Sequence, residues 1–281
     1  MFLRAGRLGV AMAATDLTDG SPEPEPEPEP EHAVALAARL LTGGRRVTVL
    51  TGAGISTDSG IPDFRGPNGV WTRNPRAERT STLADYLTDE RVRAQAWRNR
   101  LTSPVWDARP NRGHRALLEL ERRGRLRALL TQNVDGLHQQ AGSSPAVVVE
   151  LHGSMRGVRC RGCGAGGPMT AALDRVRAGE VDPHCTDCGG ILKSTTVSFG
   201  ERLDPDVVRR ARDAALDCDV LLAVGSTLTV KPAAALVPLA KRSGAAIVIV
   251  NGEATPYDAV ADAVVRGSIS DLLPRLLATV G

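Results

Sequence analysis

The chain has 281 residues, 42% of them hydrophobic and 3% aromatic, with 35 Lys and Arg against 32 Asp and Glu for a net charge of +3. That length buries a sizeable core, as one large domain with an insert or as two smaller ones. So slight a charge excludes a strongly electrostatic nucleic-acid binder, and no apolar stretch approaches the ~20 residues that span a bilayer, so neither nucleic acid nor a membrane is an expected partner. Arg4 and Arg7 before the short apolar run 8–14 imitate a leader only faintly, and a cytoplasmic protein is expected. From Pro22 to Glu31 proline alternates with glutamate, which blocks regular hydrogen bonding and repels itself, so residues 1–31 are expected as a disordered tail.

Globular structure is expected from His32, where Val34, Leu36, Ala37, Leu40 and Leu41 recur at helical spacing before Gly43 and Gly44. The β-branched run 47–50 then leads into Gly52, Ala53 and Gly54, a tight turn that lets the backbone approach a phosphate at a helix N-terminus. Thr57 stands where the third glycine of GxGxxG would be, which weakens a hydride-transfer reading. The following loop, Asp58 to Arg65, is too punctuated for a long helix and suits closure over a ligand. Residues 66–112 read as a helical insert anchored by Leu83, Tyr86, Leu87, Val92, Trp97 and Trp106.

A helix over 114–123 precedes a strand at 126–131, which runs into Gln132, Asn133, Val134, Asp135, Gly136, Leu137 and His138. Polar groups at a strand's carboxyl end are placed to meet a ligand, or to make a satisfied turn and helix cap. The strand 146–150 ends at His152, a candidate general base because imidazole titrates near neutral pH, with a structural histidine as the plain alternative. His32, His114, His138 and His184 have less of this context.

Cys160 and Cys163, then Cys185 and Cys188 after 21 intervening residues, form two C-x2-C pairs with glycine knuckles, the pattern of a four-thiolate zinc ribbon. Four thiolates leave no open coordination position, so this zinc is expected to be structural, within a module at 153–196; disulfides are the rival. Cys218 reads as a buried small hydrophobe. Residues 197–201 read as extended and 204–216 as a helix with Pro205 in its first turn. The strand 220–224 leads into Gly225, Ser226 and Thr227, suited to a phosphate; a helix at 232–242 and a strand at 245–250 follow, ending at Asn251, Gly252 and Glu253. A strand at 263–265 and a helix at 269–277 complete a βα alternation. The expected fold is α/β, a Rossmann-like doubly wound parallel sheet built from 32–152 and 197–281, with the zinc module and the helical insert.

Together GAGIS at 52–56, PDFR at 62–65, QNVDGLH at 132–138, LHG at 151–153, the paired C-x2-C, FGE at 199–201, GSTLTVKP at 225–232 and VN at 250–251 resemble the sirtuins, NAD-dependent protein-lysine deacylases, from about residue 32 onward. The resemblance implies that Gly52, Ala53, Gly54, Ile55, Asp63, Phe64 and Arg65 surround the pyrophosphate and nicotinamide ribose of NAD. It implies ribose and nicotinamide contacts from Gln132, Asn133, Val134 and Asp135, and adenosine contacts from Gly225, Ser226, Thr227, Asn251, Gly252, Glu253, Ser268 and Ile269. Ser226 and Thr227 stand in the reverse of the usual family order, and both hydroxyls remain.

The implied reaction is acyl transfer. The acyl oxygen attacks the ribose carbon and displaces nicotinamide from it to give an alkylimidate, and His152 then accepts a ribose hydroxyl proton, with Asn133 as the second catalytic residue. An acetylated protein lysine would enter by β-augmentation between Phe199, Gly200, Glu201 and the Gly225 loop, with Val197, Phe199 and Val230 lining the acyl-lysine tunnel. Sirtuins that prefer acidic acyl groups carry Tyr-x-x-Arg; the nearest equivalent here, Trp97 to Arg100, lacks the hydroxyl, so acetyl is expected over succinyl. Rival readings are mono-ADP-ribosyl transfer at the same site, a zinc-ribbon nucleic-acid module, and an NAD dehydrogenase.

Overall fold

A computed structural model of the protein describes residues 30–67 and 69–280, so residues 1–29 of the expected tail lie outside it. The strands are β1 (Val47–Thr51), β2 (Leu126–Thr131), β3 (Val148–Glu150), β4 (Gly157–Cys160), β5 (Gly166–Pro168), β6 (Leu192–Ser194), β7 (Val220–Val224), β8 (Ala246–Val250) and β9 (Ala263–Val265). The helices are α1 (Pro30–Gly43), α2 (Val70–Arg73), α3 (Leu83–Thr88), α4 (Glu90–Leu101), α5 (Arg112–Arg122), α6 (Leu137–Ala141), α7 (Met169–Arg177), α8 (Pro205–Leu216), α9 (Leu236–Arg242) and α10 (Ile269–Leu277).

All five residues of β1 and all five of β7 are buried, as strands covered on both faces must be. They sit at the centre of a six-stranded parallel sheet ordered β3-β2-β1-β7-β8-β9, a doubly wound order that reverses direction between β1 and β7. Side chains alternate across it with period two. Val47 and Val49 join one apolar layer with Leu41 of α1, Leu117 of α5 and Leu273 of α10. Leu50 joins the opposite layer, with Ala211 and Ala215 of α8 and Val237 of α9. Because Thr51 is level with both Thr131 and Val224, the segments that leave β1, β2 and β7 emerge together at one edge.

The second sheet is three-stranded and antiparallel, in the order β5-β4-β6. Its core is small: Val158, Leu192, Met169 and Leu173 of α7, and the fully buried Trp97 of α4. The Tyr86 hydroxyl donates to the Leu192 carbonyl at 2.7 Å, and Arg93 meets Asp182 at 2.7 Å with both side chains almost buried. The helical insert therefore packs directly on this sheet. Among the described residues, no helix is long and apolar enough to cross a membrane.

Several expectations are corrected. Helix α1 begins at Pro30, two residues before His32, because a proline is well placed in a first helical turn. Residues 197–201 form no strand: only Phe199 bridges, to Thr82, and Gly200 at φ 83° turns the chain so that the Glu201 amide reaches the Ser198 carbonyl. The helix expected over 232–242 is a 3-10 turn, Ala233–Ala235, followed by α9. Strands β3 and β8 start later than expected, at Val148 and Ala246.

Candidate functional site

The turn after β1 is a 3-10 helix, Ala53–Ser59, rather than an α-helix, ended by Gly60 at φ 84°. Its glycines serve a close approach of two loops. The Gly54 amide donates to the Gly225 carbonyl at 2.8 Å, and a Cβ on Gly52 would lie 2.6 Å from that oxygen. Gly225 has φ 60°, and a Cβ there would meet the Ile55 nitrogen at 2.5 Å. No side chain fits at these positions, so the first and fourth strand ends of the large sheet touch where its winding reverses.

Around this contact the polar residues after β2 are interlocked. Gln132 Nε2 donates to Ser226 Oγ at 2.9 Å. Asn133 Nδ2 donates to the Gly52 carbonyl at 3.1 Å and to Ser56 Oγ at 3.2 Å, and Ser56 Oγ donates to Asp135 Oδ2 at 2.8 Å. Asp135 Oδ1 accepts from the Leu137 amide at 2.8 Å, and Arg156 holds the Asp135 carbonyl. Burial pushes the Asp135 carboxyl up, and these hydrogen bonds oppose that.

His152 is half-buried, and its Nδ1 lies 3.0 Å from the Gln132 carbonyl. A carbonyl only accepts, so Nδ1 carries the proton and Nε2 keeps the lone pair. Burial lowers the imidazole pKa, which keeps the ring neutral. The His152 carbonyl accepts from the Val197 amide at 2.8 Å, tying the end of β3 to the 197–201 segment.

These groups line one cleft of about 1170 Å³, above the ~300–1,000 Å³ of an ordinary small-molecule pocket. Every residue expected to hold nucleotide or acyl-lysine lines it except Ile55, which is 1% exposed and packs in the core beneath. At its mouth, Trp71 stands between Phe64 (ring centroids 4.6 Å apart) and Phe199 (5.4 Å), with the Arg65 guanidinium 4.6 Å from the Trp71 ring. Glu201 lines the cleft but its carboxylate is engaged, by Lys193 at 2.9 Å, Arg161 at 2.8 Å and the Ser198 amide at 3.1 Å, so it anchors the segment. Trp97 does not reach the cleft, whereas Arg100 does and donates to Ser194 Oγ at 3.0 Å.

Two residues of consequence went unread in the sequence. Ser56 bridges Asn133 and Asp135, and only its place in the GAGIS motif pointed to it. Asn111 caps α5 and reaches across to the Ile55 carbonyl at 2.7 Å and Ser59 Oγ at 3.0 Å; an Asn before a helix signals the cap but not that second duty.

The four sulfurs of Cys160, Cys163, Cys185 and Cys188 lie within 4.8 Å of one another. Cys160 and Cys188 approach to 3.5 Å and Cys163 and Cys185 to 3.7 Å, far beyond the ~2.05 Å of a disulfide. Zinc–sulfur bonds of about 2.3 Å make a tetrahedron with edges of about 3.8 Å, so the set fits zinc. A Cβ on Gly190 would come within 2.9 Å of Cys160 Sγ, which is why that knuckle is glycine.

The Sir2 family model matches residues 52–232. A Streptomyces coelicolor protein named NAD-dependent protein deacetylase 2 is 53% identical over 241 residues, 86% of this chain and 100% of the relative. A solved Sir2 enzyme superposes with a TM-score of 0.82 at 37% identity, covering 89% of this chain and 98% of the other. A Sir2 complex with a deacetylated p53 peptide and 3'-O-acetyl ADP-ribose gives 0.80 at 33% identity, covering 86% and 96%.

Proposed function

The chain belongs to the Sir2 family, and from that membership we propose that it is an NAD-dependent protein-lysine deacetylase, moving an acetyl group from lysine to ADP-ribose with release of nicotinamide. The observation that carries this reading is the bond from His152 Nδ1 to the Gln132 carbonyl, which leaves a neutral imidazole with an open Nε2 in the cleft. Bound NAD supplies the electrophile, the ribose carbon that bears nicotinamide.

The protein's groups do the rest. The loop after β1 and the segment at Asp63 to Arg65 hold the pyrophosphate and nicotinamide ribose, while the loops at Gly225, Asn251 and Ser268 hold the adenosine side. Asn133 and Asp135, braced by Ser56, wall the nicotinamide compartment. His152 Nε2 takes a ribose hydroxyl proton, a task that the burial-lowered pKa suits because the ring stays unprotonated at neutral pH. The backbone of residues 197–200 receives the substrate peptide, and Val197, Phe199 and Val230 flank the acyl-lysine. Zinc, held by four thiolates, maintains the small sheet and takes no part in the chemistry.

The test is a panel of acyl-peptides incubated with NAD and scored for peptide mass and free nicotinamide together. One nicotinamide per acetyl group lost is expected, with the acetylated peptide turning over faster than its succinylated twin. Mass added to an acceptor protein as ADP-ribose, without peptide deacylation, would reassign the site to ADP-ribosyl transfer. Faster desuccinylation would overturn the acyl preference.

A further inference from the structure

Behind the cleft lies a buried polar chain that the reaction does not use. His138, in α6, is 1% exposed, and its Nε2 lies 3.1 Å from Thr51 Oγ1. Thr51 Oγ1 donates to Thr131 Oγ1 at 2.9 Å, and Thr131 Oγ1 accepts the Asn133 amide at 3.1 Å. The two threonines are the last residues of β1 and β2 and are 0% and 2% exposed. Since Thr51 spends its proton on Thr131, it accepts from His138, which fixes Nε2 as the protonated nitrogen.

A second arm starts 4.9 Å away at the ring of His114, tilted by 53° against that of His138; His114 Nδ1 lies 3.0 Å from Asn111 Oδ1, and Asn111 in turn holds the Ile55 carbonyl and Ser59. His138 Nδ1 and His114 Nε2 are buried without partners. Burial drives both rings neutral, with pKa values of about 3 and about 4. Such a chain is costly where aliphatic residues would fill the same space. What it supplies is direction.

Resting on the deacetylase reading above, we propose that His138, Thr51 and Thr131 are positioning residues that orient Asn133 through its backbone amide. With that amide fixed, both Nδ2 hydrogens of Asn133 stay committed to the Gly52 carbonyl and Ser56, and Oδ1 is the polar atom left for a ligand.

Paired substitutions separate this role from packing. Thr51→Val and Thr131→Val keep the shape and delete the hydroxyl, whereas Thr51→Ser and Thr131→Ser keep the hydroxyl and delete a methyl. The Val variants are expected to lose about tenfold in kcat with KM for the acetyl-peptide unchanged, the scale of one lost hydrogen bond, while the Ser variants retain turnover. Hydrogen exchange at the Asn133 amide is expected to accelerate in Thr131→Val and not in Thr131→Ser. Val variants as active as the native protein, or Ser variants as impaired as Val, would overturn the proposal. Should a Val variant fail to fold, lost turnover in its folded Ser counterpart still overturns it. If the native protein deacetylates nothing, the function falls while the Asn133 exchange comparison still decides the relay.

Discussion

Every residue of β1 and β7 is buried between two apolar layers, whereas all three residues of β5 are exposed. The large sheet is held by cohesion of its own side chains. The small one depends on a plug borrowed from α4, on ion pairs that include Arg93–Asp182, Lys193–Glu201 and Arg161–Glu201, and on four sulfurs placed for a metal. The difference teaches where rigidity is placed: the interlocked polar groups leave the ends of the large sheet, while the small sheet, through Lys193 and Arg161, anchors at Glu201 the segment proposed to receive the substrate peptide.

The largest test of that contrast removes the metal. Cys160→Ser, or a strong chelator, is expected to abolish zinc binding and unfold the small sheet, since structural zinc supplies about 10–16 kcal/mol of apparent binding energy. The parallel sheet is expected to keep its helical circular dichroism. Loss of all structure in one step, or full activity in metal-free protein, would erase the distinction.

Next in size is His152→Ala. Turnover is expected to fall by about 10²–10⁴, the usual worth of a general base, with thermal stability and zinc content unchanged. Retention of most of the activity, measured as acetyl-ADP-ribose formed, would place the base elsewhere.

Acid offers a gentler probe, aimed at the large sheet. His114 and His138 have pKa values lowered to about 4 and about 3 by burial, against about 6.5 in the unfolded chain. Below pH ~6.5 the unfolded chain therefore binds protons that the folded protein refuses. Stability is expected to be full above that pH and to fall towards pH ~4, by up to about 1.4 kcal/mol per pH unit for each imidazole. Asp135, whose carboxyl burial pushes up, takes up a proton in the folded protein at acid pH and so opposes this trend. Urea midpoints at several pH values measure it, and a midpoint unchanged between pH 7 and pH 5 would show that the rings are not held neutral.

Much of the architecture was legible in the chain because its causes are local. Strand β2, strand β7 and helix α10 fall where apolar runs and turn residues predict them, and the cysteine pairs declare their geometry because each knuckle is made by neighbours in sequence. Residues 197–201 read as extended, and that pattern does not reveal that Gly200 turns the chain after the single bridge at Phe199. Ile55 sits inside a binding motif yet faces the core, since a 3-10 turn points its successive side chains in different directions. Trp97, on a polar helix, is drawn inward by a sheet whose first strand lies some sixty residues later.

By itself, then, the amino-acid order determined the α/β alternation, the polar strand ends, the four-thiolate set and a histidine at a strand terminus, all written in spacing and periodicity. Tertiary structure alone decided which nitrogen of His152 is bare, that Gly52 and Gly225 touch, and that Thr51, Thr131 and His138 share one hydrogen-bonded line. The reason is physical: periodicity assigns a residue to a face of its own element, but a hydrogen bond's partner depends on how distant elements dock, and docking is set by the whole core at once.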